Sequence, residues 1–334
     1  MAVARIAGSE ETMNDAEVSQ LFLPLWADLR PEDAFHNKKP LLAHYTTIQA
    51  LEKILTNNEV WFSNPLFMND IQEVSFGINE GNRLVINSQE IEKACQTPER
   101  AHAFKKIFTF YYDQFANQHV LNTYVFCLSQ HDKGDNDGLL SMWRGYGANG
   151  NGVAIVFDTA QMDVVELSPL IIAQVTYATT EARLDWLKKL LETFAKILST
   201  SNIPIEKLYI PAHSLFERIK AFALFSKHHG FKEEAEWRVV YMPERDTQNV
   251  LAPMFNYSIG SRGVEPKLRF KILPIKGLTA DDLSLNKVIE RIILGPSTSN
   301  PMAVATISRM LDILNQSGLK PKLRGSTIPF RAIG

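Results

Sequence analysis

The apolar positions of this chain change period several times, and each change marks an element. Between Leu42 and Leu55 an apolar stretch runs into His44-Tyr45-Thr46, after which Ile48, Leu51 and Leu55 recur at helical spacing. The pattern reads as a short strand feeding a helix, with the Thr46 hydroxyl as its cap and Gln49 reaching back from three residues on. A second strand, Val60-Trp61-Phe62-Ser63, closes on the turn signal Asn64-Pro65. From about 75 to 120 the residues Phe104, Ile107, Phe108, Tyr111, Tyr112 and Phe115 recur three and four apart, predicting helix with these aromatics in its core. Strand character returns at Tyr124–Leu128 and Val153–Phe157. A helical block over 181–229, interrupted at Pro204 and Pro211, precedes a strand at Glu236–Tyr241. Two more strands are expected at Leu268–Leu273 and Val288–Leu294, then a helix over 301–315. Residues 1–40 read as an arm that docks on the body through Leu21-Phe22-Leu23-Pro24-Leu25-Trp26. No repeat or linker interrupts 41–334, so it reads as a single α+β domain with helical insertions near 75–120 and 181–229.

Composition adds bounds rather than direction. The 334 residues are 45% hydrophobic, enough for a substantial core, and the formal charge of −2 leaves no global footprint for nucleic acid. Cys95 and Cys127 make neither a disulfide framework nor a metal-ligand spacing, which implies a reducing, cytoplasmic setting. The start Met1-Ala2-Val3-Ala4-Arg5 lacks the apolar run of a secretory signal, and no segment sustains the length of a membrane span, so export and membrane insertion are not expected.

Several motifs invite chemistry. Gly145-Tyr146-Gly147-Ala148-Asn149-Gly150 matches the dinucleotide fingerprint in letters, but a strand follows it where a helix is required. It therefore reads as a glycine loop feeding that strand. His228-His229 with Glu233 and Glu234 has no metal-site spacing, and adjacent histidines on a helix point apart, so no metal is expected. Neither cysteine has a local nucleophile signature, and no serine elbow occurs. The strongest cluster is Phe231-Lys232-Glu233-Glu234-Ala235-Glu236-Trp237-Arg238. Strand alternation puts Glu234, Glu236 and Arg238 on one face, either lining a cleft or forming a solvated edge. Ser129 ends an apolar strand. Ser141, Trp143, Arg144 and Tyr146 supply a cation, two aromatics and hydroxyls beside the glycine loop, an inventory that holds a planar ring and a phosphate, with core packing the other reading of Trp143. Asn69, Asp70 and Glu73 would suit a metal-dependent nuclease, or simply cap a turn.

Taken in order, His44-Tyr45-Thr46, Ser63-Asn64-Pro65, Asn69-Asp70-x-x-Glu73, Cys127-Leu128-Ser129, Met142-Trp143-Arg144-x-Tyr146 with Gly152-Val153, Lys232-x-x-Ala235-Glu236-Trp237-Arg238 and Ile292-Ile293-Leu294-Gly295-Pro296 resemble a bacterial family of unknown function, number twenty-nine seventy-one. That resemblance covers about residues 40–300 and implies no activity.

The opening strand and helix are more remotely similar to the first motif of ADP-ribosyltransferases. This second resemblance implies an α+β fold with a split β-sheet core, and NAD as the substrate. By it His44 would hold the adenosine ribose, with Tyr45 and Thr46 as neighbours, and Ser129 or Tyr146 would stand at the nicotinamide pocket. Glu236 would bond the nicotinamide ribose and stabilise the oxocarbenium-like transition state, with Glu234 as a target-activating residue. Arg144 or Arg238 would bind the pyrophosphate or clamp an acidic partner inside the fold. The implied activity is transfer of ADP-ribose to a macromolecular acceptor, protein or nucleic acid, and family context suggests a toxin or phage-defence effector. The rivals are an NAD glycohydrolase, a nucleotide-sensing or nucleic-acid-binding module without catalysis, and the nuclease. Acceptor and oligomeric state are not specified by the residues.

Overall fold

The strand that begins the motif-bearing region ends one residue later than its pattern suggests. Thr46 is the last residue of β1 (Leu41–Thr46), and Thr47 caps the helix Ile48–Asn57, its hydroxyl accepting from the Ala50 amide at 3.1 Å. The helix buries Leu51, Ile54 and Leu55 and stops at Asn58 in the left-handed region. The computed structural model describes residues 13–29, 34–68, 71–162, 168–260 and 263–330, with side chains of the helix Ile71–Ile86 described from Val74 onward.

Twelve strands form among the described residues. After β1 they are β2 (Glu59–Ser63), β3 (Tyr124–His131), β4 (Val153–Asp158), β5 (Leu170–Gln174), β6 (Thr176–Ala178), β7 (Ser226–His228), β8 (Glu236–Tyr241), β9 (Phe255–Gly260), β10 (Gly263–Lys271), β11 (Ile289–Leu294) and β12 (Leu323–Gly325). The fold is mixed α+β. Ten strands make one sheet in the order β12-β11-β4-β1-β3-β2-β10-β9, with β8 on the other edge of β3 and β5 beyond it, while β6 and β7 pair in parallel by themselves.

One edge of β3 is shared by two strands. β1 takes its end, Leu41–Ala43 pairing with His131–Ser129, and β2 takes its beginning, Ser63 pairing with Val125. From there β1 continues along β4 and β2 continues along β10, so the sheet divides over Phe126, Cys127 and Leu128. One side of the sheet is a core of Leu42, Leu51, Phe62, Phe126, Ile155, Trp237 and Leu268 among others, and a smaller cluster on the other side joins Ala43, Tyr45, Met142, Trp143, Ala154, Val156 and Ile293.

Contacts gather the chain into two compact units. One comprises Arg30–Glu73, Asn117–Ala178 and Phe225–Gly334 and holds every strand. The other comprises Met1–Leu29, Val74–Ala116 and Thr179–Leu224, uniting the two segments expected as insertions with the described part of the arm before residue 30. Its core aromatics meet at short range, with Phe22 and Phe104 each 5.4 Å from Phe194 and Phe108 6.0 Å from Phe216. Pro211 does not break the helix Tyr209–Phe225, because it sits in the first turn, where no backbone donor is missed. That helix ends at Phe225, so Ser226–His228 is strand, not the close of a helical block.

Candidate active site

Alternation along β3 and β8 sets out one face of the cleft. Ser129 pairs with Glu236 and with Ala43, and Cys127 pairs with Arg238, so these side chains share a face opposite Phe126, Leu128 and Trp237. A cavity of about 220 Å³ opens there, bordered by His44, Tyr45, Trp61, Ser63, Cys127, Ser129, Tyr146, Lys227, Glu234 and Glu236. All belong to the strand-bearing unit.

Glu236 and Glu234 do not reach the cleft by simple strand alternation. The strand starts only at Glu236, residues His229–Glu234 form a 3-10 turn, and Ala235 between them is left-handed at φ 43°. The turn carries Glu234 beside Lys227, whose Nζ lies 2.6 Å from Glu234 Oε2 and 3.3 Å from Glu236 Oε2. Arg238 grips Glu236 from within the fold, Nε to Oε1 at 2.8 Å and Nη2 to Oε2 at 3.2 Å. β8 lies between β3 and β5, so this is a buried network rather than a solvated edge. Burial opposes ionisation of Glu236, but Arg238 foremost and then Lys227, with the Cys127 thiol, hold its carboxyl below the ordinary carboxylate range. The Glu236 amide donates to the Tyr177 hydroxyl at 2.8 Å, and burial pushes that phenol up to about 12.

His44 sits where the sheet divides. Its ring packs 4.6 Å from Phe126, and its Nδ1 lies 3.2 Å from the Cys127 carbonyl, which can only accept, so Nδ1 carries the proton. Burial presses its pKa down to about 4, leaving a neutral imidazole with Nε2 as an acceptor. Tyr146, 42% exposed, donates from its hydroxyl to Glu234 Oε1 at 2.9 Å. The Ser129 hydroxyl donates to the Glu234 carbonyl at 2.7 Å and thereby ties the turn to β3.

Four other residues singled out by the pattern lie off the cavity lining. Trp143 is core, its Nε1 donating to the Asp137 carbonyl at 2.8 Å and its ring 4.9 Å from Tyr45. Tyr45 borders the cleft but is committed to scaffold, accepting from the Leu139 amide at 2.9 Å. Arg144 is exposed and lies over the Phe330 ring at 5.1 Å. Arg238 acts as the inner clamp, and Thr46 pairs with Val153 at the end of β1. Asn69 and Asp70 are outside the described residues, as is the Glu73 side chain. His228 and His229 are not on one helix: His228 ends β7 and caps the next turn through Nδ1. Lys227, Cys127 and Trp61 are site residues that the pattern does not single out as such. Lys227 falls in the stretch whose pattern predicts helix, and a lysine seven and nine residues before two glutamates is no motif that marks it.

The glycine loop serves packing. A side-chain carbon on Gly152 would stand 2.1 Å from the Thr46 carbonyl oxygen, and one on Gly147 would stand 2.5 Å from the Trp143 ring.

The cleft's loop, its lysine and both its glutamates fall in one stretch of the chain. Residues 142–239 match a family model described as protein of unknown function (DUF2971). The resemblance read from the ordered motifs is thus borne out over this stretch. The matched segment carries Tyr146, Lys227, Glu234, Glu236 and Arg238, while His44, Trp61, Cys127 and Ser129 precede it. No curated protein and no solved structure matches the chain. No helix among the described residues is long and apolar enough to cross a membrane.

Proposed function

We propose that the chain cleaves NAD at its nicotinamide–ribose bond and passes ADP-ribose to a macromolecular acceptor, on an ADP-ribosyltransferase-like split sheet. One observation carries the reading. His44, Tyr146, Glu234 and Glu236, from three separate stretches, meet in one cleft at the place where β1 and β2 part from β3. Breaking the glycosidic bond expels neutral nicotinamide and leaves positive charge on the ribose, so an ionised carboxylate is favoured more in the transition state than in the ground state. Glu236 supplies it, held ionised and oriented by Arg238 from behind. Neutral His44 accepts a ribose hydroxyl at Nε2, Tyr146 stands at the nicotinamide pocket, and Glu234, the more exposed carboxylate, activates the acceptor. The chemistry calls for no metal. The cavity lies below the usual ligand-pocket range of about 300–1,000 Å³, a size for a ring and a sugar rather than a whole dinucleotide. A role as toxin or phage-defence effector belongs to the same reading.

Nicotinamide release from NAD, measured with and without lysate or nucleic acid as acceptor, tests it. Glu236→Gln should lose at least a hundredfold, about 3 kcal/mol of activation free energy. Glu236→Asp keeps the charge that Lys227 and Arg238 need, so it should fold normally and still fail as a catalyst. Release without any acceptor would mark a glycohydrolase. No release under any condition, with NAD failing to raise the melting temperature, would sink the proposal.

A further inference from the structure

Trp61 and Ser63 border the cleft from β2, on the side of β3 away from the β8 glutamates, and β10 lies next to them outside the lining. β10 lays three cations alongside β2, with Lys267 opposite Ser63, Arg269 opposite Trp61 and Lys271 opposite Glu59. Two are matched locally, Lys271 to Glu59 at 2.5 Å and Lys267 to Glu265 at 3.0 Å. Arg269 makes no ion pair within 4 Å among the described residues, and its charge reaches Glu59 only at longer range. Its Nη2 donates to the Tyr257 carbonyl at 3.1 Å, and its buried Nε has no hydrogen-bond partner among the described residues. Three cations against two carboxylates leave one positive charge in excess on this pair of strands.

Trp61 is the other half of the arrangement. Its Nε1 donates to Glu59 at 2.9 Å and the Arg269 guanidinium lies over its ring at 4.3 Å, so the indole is fixed at one edge and one face while it borders the cleft. A fixed aromatic plane beside an unmatched guanidinium suits a base stacked on the ring and a phosphate on the arginine. A single unmatched charge fits one nucleotide unit rather than a nucleic-acid strand, which requires several cations along its backbone.

We infer that Trp61 and Arg269 form a subsite for a nucleoside phosphate, with the base on Trp61 and the phosphate on Arg269. This rests on the NAD reading of the cleft and extends it: the nicotinamide and its ribose fill the cavity at Glu236, and the adenosine phosphate half runs out past its border at Trp61.

Calorimetry of the full chain with AMP, adenosine and ribose 5-phosphate tests the subsite. AMP should bind wild type. Trp61→Ala and Arg269→Gln should each weaken AMP at least tenfold, with Trp61→Ala hitting adenosine and Arg269→Gln hitting ribose 5-phosphate. Thermal unfolding reports whether each variant folds, and Arg269→Gln, which keeps most of the stem, carries the test should Trp61→Ala unfold. AMP failing to bind wild type, or binding folded variants as tightly as wild type, overturns the subsite. NAD cleavage whose KM ignores both substitutions removes the subsite and leaves the cleavage standing. AMP binding that depends on both residues, in a chain that never releases nicotinamide, keeps the subsite and removes the cleavage.

Discussion

His44 is held neutral by burial, and that links folding to pH in a defined direction. Its folded pKa is about 4, below an ordinary value of 6.5, so between these values the unfolded chain binds a proton that the folded chain does not. The contribution is complete above pH 6.5 and is lost as pH falls towards 4. Between pH 7 and pH 5 the wild type should lose about 2 kcal/mol of unfolding free energy through this residue. Urea denaturation at the two pH values checks it: His44→Gln, which cannot titrate, should show that much less change, and an equal pH dependence in both proteins would refute the assignment. His44 was legible in the sequence because a polar triplet at a strand end is conspicuous among apolar neighbours. Lys227 was not, since its neighbours gave no sign that the helix ends at Phe225 and that a buried lysine between two carboxylates follows. A charge network is a property of chain crossings, and single-chain spacing carries it only when the partners share an element. Glu236 and Arg238, two apart on β8, met that condition; Lys227 and Glu236 did not.

At the scale of elements, the turn after β2 depends on one amide. Asn64 is fully buried, its Nδ2 donating to the carbonyls of Val120, Leu121 and Thr123 at 2.8, 3.0 and 3.0 Å, while its Oδ1 accepts from the Leu66 amide at 2.9 Å. These bonds join the end of β2 to the start of β3, where Ser63 pairs with Val125 and the sheet begins to divide. Asn64→Ala removes the acceptor for one amide and the donor for three carbonyls, and should cost roughly 3 kcal/mol. A shift of the urea midpoint corresponding to under 1 kcal/mol would show that water replaces the side chain. The sequence marked Asn64-Pro65 as a turn, which it is, yet the three carbonyls lie more than fifty residues away and no local pattern points to them. The same limit governs the strands. β3, β4 and β8 were legible as apolar or alternating runs, whereas β6, β7 and β12 are three residues each and exist only because a partner pairs with them. Ala235 is the sharpest case: its left-handed backbone decides how Glu234 faces the cleft, and alanine is a residue whose identity gives no warning of it.

For the whole molecule, the points at which the chain leaves and re-enters the strand-bearing unit make a test of its independence. Every residue that borders the cleft belongs to that unit, although the unit is assembled from three separate segments. The first gap closes near Asn64, which binds Val120, Leu121 and Thr123 just after the chain returns. The second closes at the β6–β7 pair, where Thr176 faces Ser226 and Ala178 faces His228 in parallel. The end of β6 and the start of β7 are therefore one strand spacing and two residues apart, roughly 8 Å. A connection between parallel neighbours needs about a dozen residues, far fewer than the chain spends between them. Replacing 74–116 and 179–224 by glycine-serine linkers of about that length should leave a protein with its own core, one cooperative thermal transition and wild-type affinity for AMP. Differential scanning calorimetry and AMP titration of the shortened chain decide the matter. A broad, non-cooperative transition would mean that the sheet's three segments find their registers only when the intervening helices are present, which would make those helices part of the machinery that builds the cleft.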